Sequence, residues 1–134
     1  MRLKRDVYSG YLRLHGNNHA HTLTAASNYA NSLIYLQRFE EAKKLLRKSI
    51  PVARRVLGEN HDLTLRIRGC YAEALYKDGG AALHDLREAV TTLEDMERIM
   101  RRVFGGAHPH TEGFGRNLLE ARAKLRTRET PSAS

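Results

Sequence analysis

A chain of 134 residues accommodates one compact domain or a short repeat array, and it is too short for two ordinary globular domains. Hydrophobic residues at 41% and charged residues at 28% supply enough apolar surface for a core and exclude wholesale disorder. The net charge of +8 suits an acidic partner, but the cations are spread along the whole chain, Trp is absent and no nucleic-acid recognition motif is present. Nucleic acid is therefore the disfavoured partner.

Only three prolines interrupt long stretches rich in Ala, Leu, Arg and Glu, a mixture that predicts an all-α fold. Taken in chain order, the apolar periodicity predicts a short helix over about residues 3–14 and further helices at about 20–36, 38–57, 62–78, 81–104 and 110–127. Pro51 lies inside the helix at 38–57, where its ring removes a backbone hydrogen bond, and a bend is expected there. In the helix at 81–104, Leu83, Leu86, Val90, Leu93, Met96, Met100 and Val103 step by three or four and form one core face. The tail 128–134 has no apolar anchor and is expected to fray.

An internal repeat runs through these helices. Leu14-His15-Gly16-Asn17-Asn18-His19 returns as Leu57-Gly58-Glu59-Asn60-His61 and again as Phe104-Gly105-Gly106-Ala107-His108, each followed by Thr at Thr22, Thr64 and Thr111. The glycines are 42 and then 47 residues apart, so the second unit carries five extra residues. Tyr29-Ala30 matches Tyr71-Ala72 at the shorter offset, whereas Glu41-Ala42 matches Glu88-Ala89 at the longer one, which places the insertion around Asp78-Gly79-Gly80. Each glycine follows the last apolar residue of a helix and is expected to end it in a left-handed conformation. Asn60 or Asp62 is expected to cap the following helix, and Pro109 suits a first turn.

Asn28-Tyr29-Ala30-Asn31-Ser32-Leu33, followed by Gln37-Arg38-Phe39-Glu40-Glu41-Ala42-Lys43-Lys44-Leu45-Leu46, resembles a tetratricopeptide repeat. The long period and the Leu-Gly-x-x-His-x-x-Thr junction resemble the subtype found in kinesin light chains. The resemblance covers roughly residues 14–127 and implies a right-handed superhelical array of antiparallel helix pairs, about two and a half repeats long. On this reading 1–14 is a short helix or the remnant of a preceding repeat, 15–57 is repeat 1, and 58–104 is repeat 2 with its insertion near 78–83. Residues 105–127 are then the lone first helix of repeat 3, ahead of the tail. The sequence departs from the pattern at Gln37, where the turn within a pair ordinarily has glycine.

The resemblance also implies a protein-interaction scaffold without catalytic residues or a cofactor, whose concave surface is lined by the first helix of each pair. The positions so implied are Asn28, Asn31 and Tyr35 in repeat 1, Arg66, Glu73, Tyr76 and Lys77 in repeat 2, and Arg116, Glu120 and Lys124 in repeat 3. Amides can bond an extended backbone, Arg66 and Arg116 can take carboxylates through two-pronged contacts, and Tyr35 or Tyr76 can cover an apolar side chain. The favoured ligand is an acidic peptide. Asn28 and Asn31 are similar to amide positions of carboxylate clamps, but Cys70 and Glu73 replace them in the next unit and weigh against a chaperone-tail clamp.

Other chemistries fit less well. His19, His21, His108 and His110 invite a zinc reading, yet the repeat accounts for His19, His61 and His108 as junction residues one unit apart. No phosphate-binding loop, nucleophile elbow or zinc-protease helix is present, so an enzyme is not expected. Cys70, as the single cysteine, excludes an internal disulfide and reads as a packing residue, as do Tyr29 and Tyr71. A soluble, cytoplasmic protein is expected, because no run reaches the ~18 apolar residues of a membrane span. As a rival reading, the unpaired last helix offers an apolar side to another copy or a larger assembly.

Overall fold

Six helices follow one another in the computed structural model, which describes residues 2–16, 20–105 and 109–129: α1 Arg2–His15, α2 Ala20–Tyr35, α3 Phe39–Leu57, α4 Asp62–Tyr76, α5 Leu83–Phe104 and α6 Pro109–Glu129. The fold is an all-α, tetratricopeptide-like helical repeat array in which α2 with α3 and α4 with α5 form pairs. First helices also meet first helices, since α4 packs on both α2 and α6. The expectations for His19, His108 and the tail beyond Glu129 fall outside the described residues, while Arg128 and Glu129 continue α6.

α4 is the centre of the core. It packs against α2, α3, α5 and α6, and Leu65, Ile67, Ala72, Ala74, Leu75 and Tyr76 on it have no exposure at all. Burying each of the larger of these side chains contributes about 1.5–3 kcal/mol relative to leaving it in water. Toward α6 the approach is very close: a Cβ added at Gly69 would stand 2.5 Å from the Phe114 ring, so glycine is what lets that ring seat on α4. Toward α3, the repeated threonine has its own role, because the buried Thr64 hydroxyl donates to the Ala53 carbonyl at 3.3 Å.

The junction glycines end their helices differently from the expectation. Gly58 (φ 100°, ψ 159°) and Gly105 (φ 85°, ψ 160°) have positive φ but an extended ψ, a region open essentially to glycine alone, and not the left-handed helical one. Their N–H groups still reach back four residues, to the carbonyls of Arg54 and Arg101. The start of α4 also departs from expectation. Neither Asn60 nor Asp62 is its cap; His61 is, its Nδ1 accepting the Leu63 N–H at 3.0 Å. The imidazole reaches the orphan amide because His61 has extended backbone (φ −67°, ψ 139°), as an N-cap requires.

The two turns within pairs solve the same problem with different chemistry. After α2, Gln37 takes φ 61°, its N–H bonds the Ile34 carbonyl at 2.9 Å and the Arg38 N–H bonds Leu33 at 2.8 Å, the double closure of a Schellman motif. A residue with a Cβ thus occupies the left-handed position where glycine costs least. After α4, the insertion spreads over a longer loop and an earlier start of α5, and the Asp78 carboxylate accepts the Gly80 N–H at 2.9 Å to fold that loop on itself. α3 continues unbroken across Pro51, whose ring is exposed, so the expected bend does not interrupt the helix.

Candidate peptide-binding surface

The solvent-facing lines of α2, α4 and α6 form one strip. On α2, Thr24, Asn28, Asn31 and Tyr35 recur every three or four residues and are exposed. On α4 almost everything is buried, and Arg66 and Glu73, two turns apart, are its main windows to water. On α6, Arg116 and Glu120 are exposed and Lys124 is half-buried.

Hydrogen bonds cross from each line to the next. The Cys70 thiol donates to Asn31 Oδ1 at 2.9 Å, joining α4 to α2. Asn117 Nδ2 reaches Glu73 Oε1 at 3.4 Å, and the Tyr76 hydroxyl lies 3.1 Å from Asn117 Oδ1 and 3.2 Å from Glu120 Oε2, joining α4 to α6. Lys124 Nζ donates to the Tyr76 carbonyl at 3.1 Å and lies over the Tyr76 ring. Lys77 pairs with Glu73 at 3.2 Å.

These bonds divide the ten predicted positions. Asn31, Glu73, Glu120 and Lys124 hold repeats together and Lys77 pairs with Glu73 at the end of α4, whereas Arg66 and Arg116 are exposed and make no ion pair among the described residues, and Asn28 and Tyr35 stand in solvent, Tyr35 at 87% exposure. Tyr76 is corrected: with no exposure it cannot cover a ligand side chain, and its ring serves as floor beneath Lys124. Its phenol is pushed well above the ordinary range, first by burial and then by Glu120 and Glu73, so it stays protonated and able to donate toward Glu120 and the Asn117 side-chain carbonyl. Burial, with Glu73 nearby, likewise pushes the Cys70 thiol up to about 12. That keeps it protonated, as its hydrogen bond to Asn31 requires, and unsuited to nucleophilic attack at neutral pH.

Beside the strip, where the insertion loop meets α6, Tyr76, Asp78, Gly79, Leu86, Ala123 and Lys124 line a cleft of about 340 Å³. A second cleft of about 390 Å³ opens between α1 and α2, lined by Lys4, Asn31, Ser32, Tyr35 and Leu36. Among the described residues no group of three or more His, Cys, Asp or Glu is placed to hold a metal ion, and His21 stacks on Tyr11 with ring centroids 5.8 Å apart.

On the opposite side of α4 lies a polar layer that the sequence reasoning missed. Arg68, 7% exposed, bonds Asp95 at 2.9 Å and faces Glu59 at 4.0 Å. The Tyr71 hydroxyl sits between Arg47 Nε at 3.3 Å and Glu88 Oε2 at 3.2 Å, so this tyrosine ties α3 to α5 through α4 besides packing. Lys43 is 4% exposed and pairs with Glu40. A signal existed for two of these: at the repeat offsets Arg68 falls on Ala26 and Lys43 on Val90, a charge where the other unit is apolar.

Residues 21–82, which span the first pair and the helix that opens the second, match the family model for the tetratricopeptide repeat. The match supports a tetratricopeptide-repeat protein, a class whose repeats generally mediate protein–protein interaction. No curated protein matches the chain significantly. Among the described residues no helix is long and apolar enough to cross a membrane.

Proposed function

We propose that the protein is an interaction module that captures an acidic, extended segment of a partner protein along the strip formed by α2, α4 and α6. The observation that carries this reading is the pair of exposed guanidinium groups, Arg66 on α4 and Arg116 on α6, unpaired among the described residues and set beside Asn31, Glu73, Lys77, Asn117 and Glu120, which are already bonded to other side chains. A strip fixed by its own hydrogen bonds is preorganised, so a ligand orders few side chains on arrival. Two-pronged contacts from the free arginines would select carboxylates, and Asn28 and the exposed Tyr35 would supply an amide and an apolar edge. Excess positive charge would speed encounter with such a segment, and salt would slow it.

The test is fluorescence anisotropy with a synthetic Glu- and Leu-containing peptide and its Lys-for-Glu counterpart. Only the acidic peptide is expected to bind, and the Arg66→Glu/Arg116→Glu variant should weaken it by about tenfold or more. Equal affinity of wild type and variant would remove the strip from consideration.

A further inference from the structure

We propose that the groove between α1 and α3 is a further binding site, which receives an acidic amphipathic helix of a partner protein through one apolar side chain. α2 packs on both α1 and α3 and forms the floor, so the groove is bounded on either side by helices of the chain itself. Tyr8 and Leu12 of α1, Tyr29 and Leu33 of α2 and Leu45 of α3 line a cleft of about 270 Å³ there. An apolar space of about 150 Å³ is enough for a benzene molecule, so a Leu or Phe side chain fits. None of these residues belongs to the strip of α2, α4 and α6.

The equivalent groove one repeat later, between α3 and α5, is tied across. Its Tyr71 hydroxyl bonds Arg47 of one wall and Glu88 of the other, and Arg68 of the floor bonds Asp95. Repeat register puts Arg5, Tyr29 and Glu41 at the positions of Arg47, Tyr71 and Glu88, so the first groove holds the same three residue types. Here they do not meet. Arg5 faces Asp6 at 3.8 Å, Glu41 is held by Arg38 through both of its oxygens, and the Tyr29 hydroxyl makes no hydrogen bond among the described residues. The Tyr29 ring instead lies against Tyr8, centroids 6.1 Å apart, as part of the apolar lining.

The rim decides the chemistry of the occupant. Lys44 and Lys48, one turn apart on α3, border the cleft, are exposed and make no ion pair among the described residues. Their counterparts on α5 are Thr91 and Asp95, so the second groove lacks this basic edge. Glu41 also borders the cleft, but its charge is met by Arg38 at 2.6 Å. A helix that places an apolar side chain between α1 and α3 would set two carboxylates, one turn apart, against the two lysines. A second copy does not fit. Leu3, Leu14, Val56 and Val103, exposed apolar side chains that another copy could insert, each follow an arginine and would bring a further cation to the lysines.

The test uses a synthetic helical peptide with one Leu beside two Glu a turn apart, a copy with Ala for the Leu, and a copy with Lys for each Glu. Anisotropy titration of the full chain is expected to show binding of the first peptide, with both copies weaker by about tenfold or more. Lys44→Glu/Lys48→Glu should weaken the first peptide by a similar factor and acquire the Lys copy. Arg66→Glu/Arg116→Glu should leave its affinity unchanged, so failure of the groove and failure of the strip give different results. Circular dichroism of each variant checks that these exposed positions leave the helices intact. Any one of four results would overturn the proposal: no binding, equal binding of the Ala copy, indifference to the lysine reversal, or loss of binding in the arginine variant. Sedimentation of wild-type protein as a dimer that Lys44→Glu/Lys48→Glu dissociates would also overturn it, by assigning the groove to a second copy.

Discussion

The two flanks of α4 are built on opposite principles. Toward α6 the backbone carries no side chain at Gly69, a phenyl ring fills the gap, and the Tyr76 hydroxyl bonds two α6 side chains from a fully buried position. Toward α2 the Cys70 thiol, a weak donor, reaches the exposed Asn31. The α6 flank thus relies on a ring seated against a bare backbone and on a buried hydroxyl, features the α2 flank is not shown to share. Equal-looking helix contacts therefore differ in what a single substitution does to them.

Gly69→Leu is the most disruptive way to break that asymmetry. Overpacking against Phe114 should cost about 3 kcal/mol, the upper part of the usual range, only partly offset by the better helix propensity of Leu. Hydrogen exchange should show the loss in α6 first and leave α2 protected. Tyr76→Phe keeps the ring and removes the hydroxyl, and chemical denaturation should register about 1–2 kcal/mol, with α6 again the more affected flank.

The α2 flank answers to alkaline pH instead. The Cys70 thiol is held at about 12 in the folded protein, above its ordinary value of 9.0, so its contribution is complete below pH 9 and is lost as pH rises toward 12. At pH 10 the wild type should have lost on the order of 1 kcal/mol more than a Cys70→Ala variant has, each measured against its own stability at pH 8. The smallest effect is expected from Asn31→Ala, about 0.5 kcal/mol or less, because the lost acceptor is exposed and the donor is a weak one. A loss at Asn31 as large as that at Tyr76 would abolish the contrast between the flanks.

Much of the fold was legible because its signals repeat. Apolar periodicity located every helix to within about two residues, and three Gly-x-x-His junctions set the order of pairs. What periodicity cannot report is the partner of a polar side chain. Asn31, Glu73 and Glu120 look like free groove residues on a helical wheel, but adjacent repeats bring Cys70, Asn117 and Tyr76 within hydrogen-bond reach of them. Tyr76 itself was misplaced because the insertion ends α4 one residue early relative to α2 and α6 then closes over it, a consequence of tertiary packing that spacing along one helix does not contain. The cap at His61 was missed for a local reason: an imidazole nitrogen can replace the oxygen acceptors usually sought there. At Gln37 the sequence showed the missing glycine, and the structure adds that the chain adopts the left-handed turn regardless.

The near-complete enclosure of α4 has a mechanical consequence. Because α4 packs on α2, α3, α5 and α6, whereas among the described residues α1 packs on α2 and α6 on α5 and α4, tension applied through the two outer helices meets its weakest joints there. An optical trap should record α1 and α6 peeling away in small steps before one larger rupture as α4 leaves its four neighbours. The central helix is in that sense a keystone: the last element to yield, and the one whose removal releases both pairs at once.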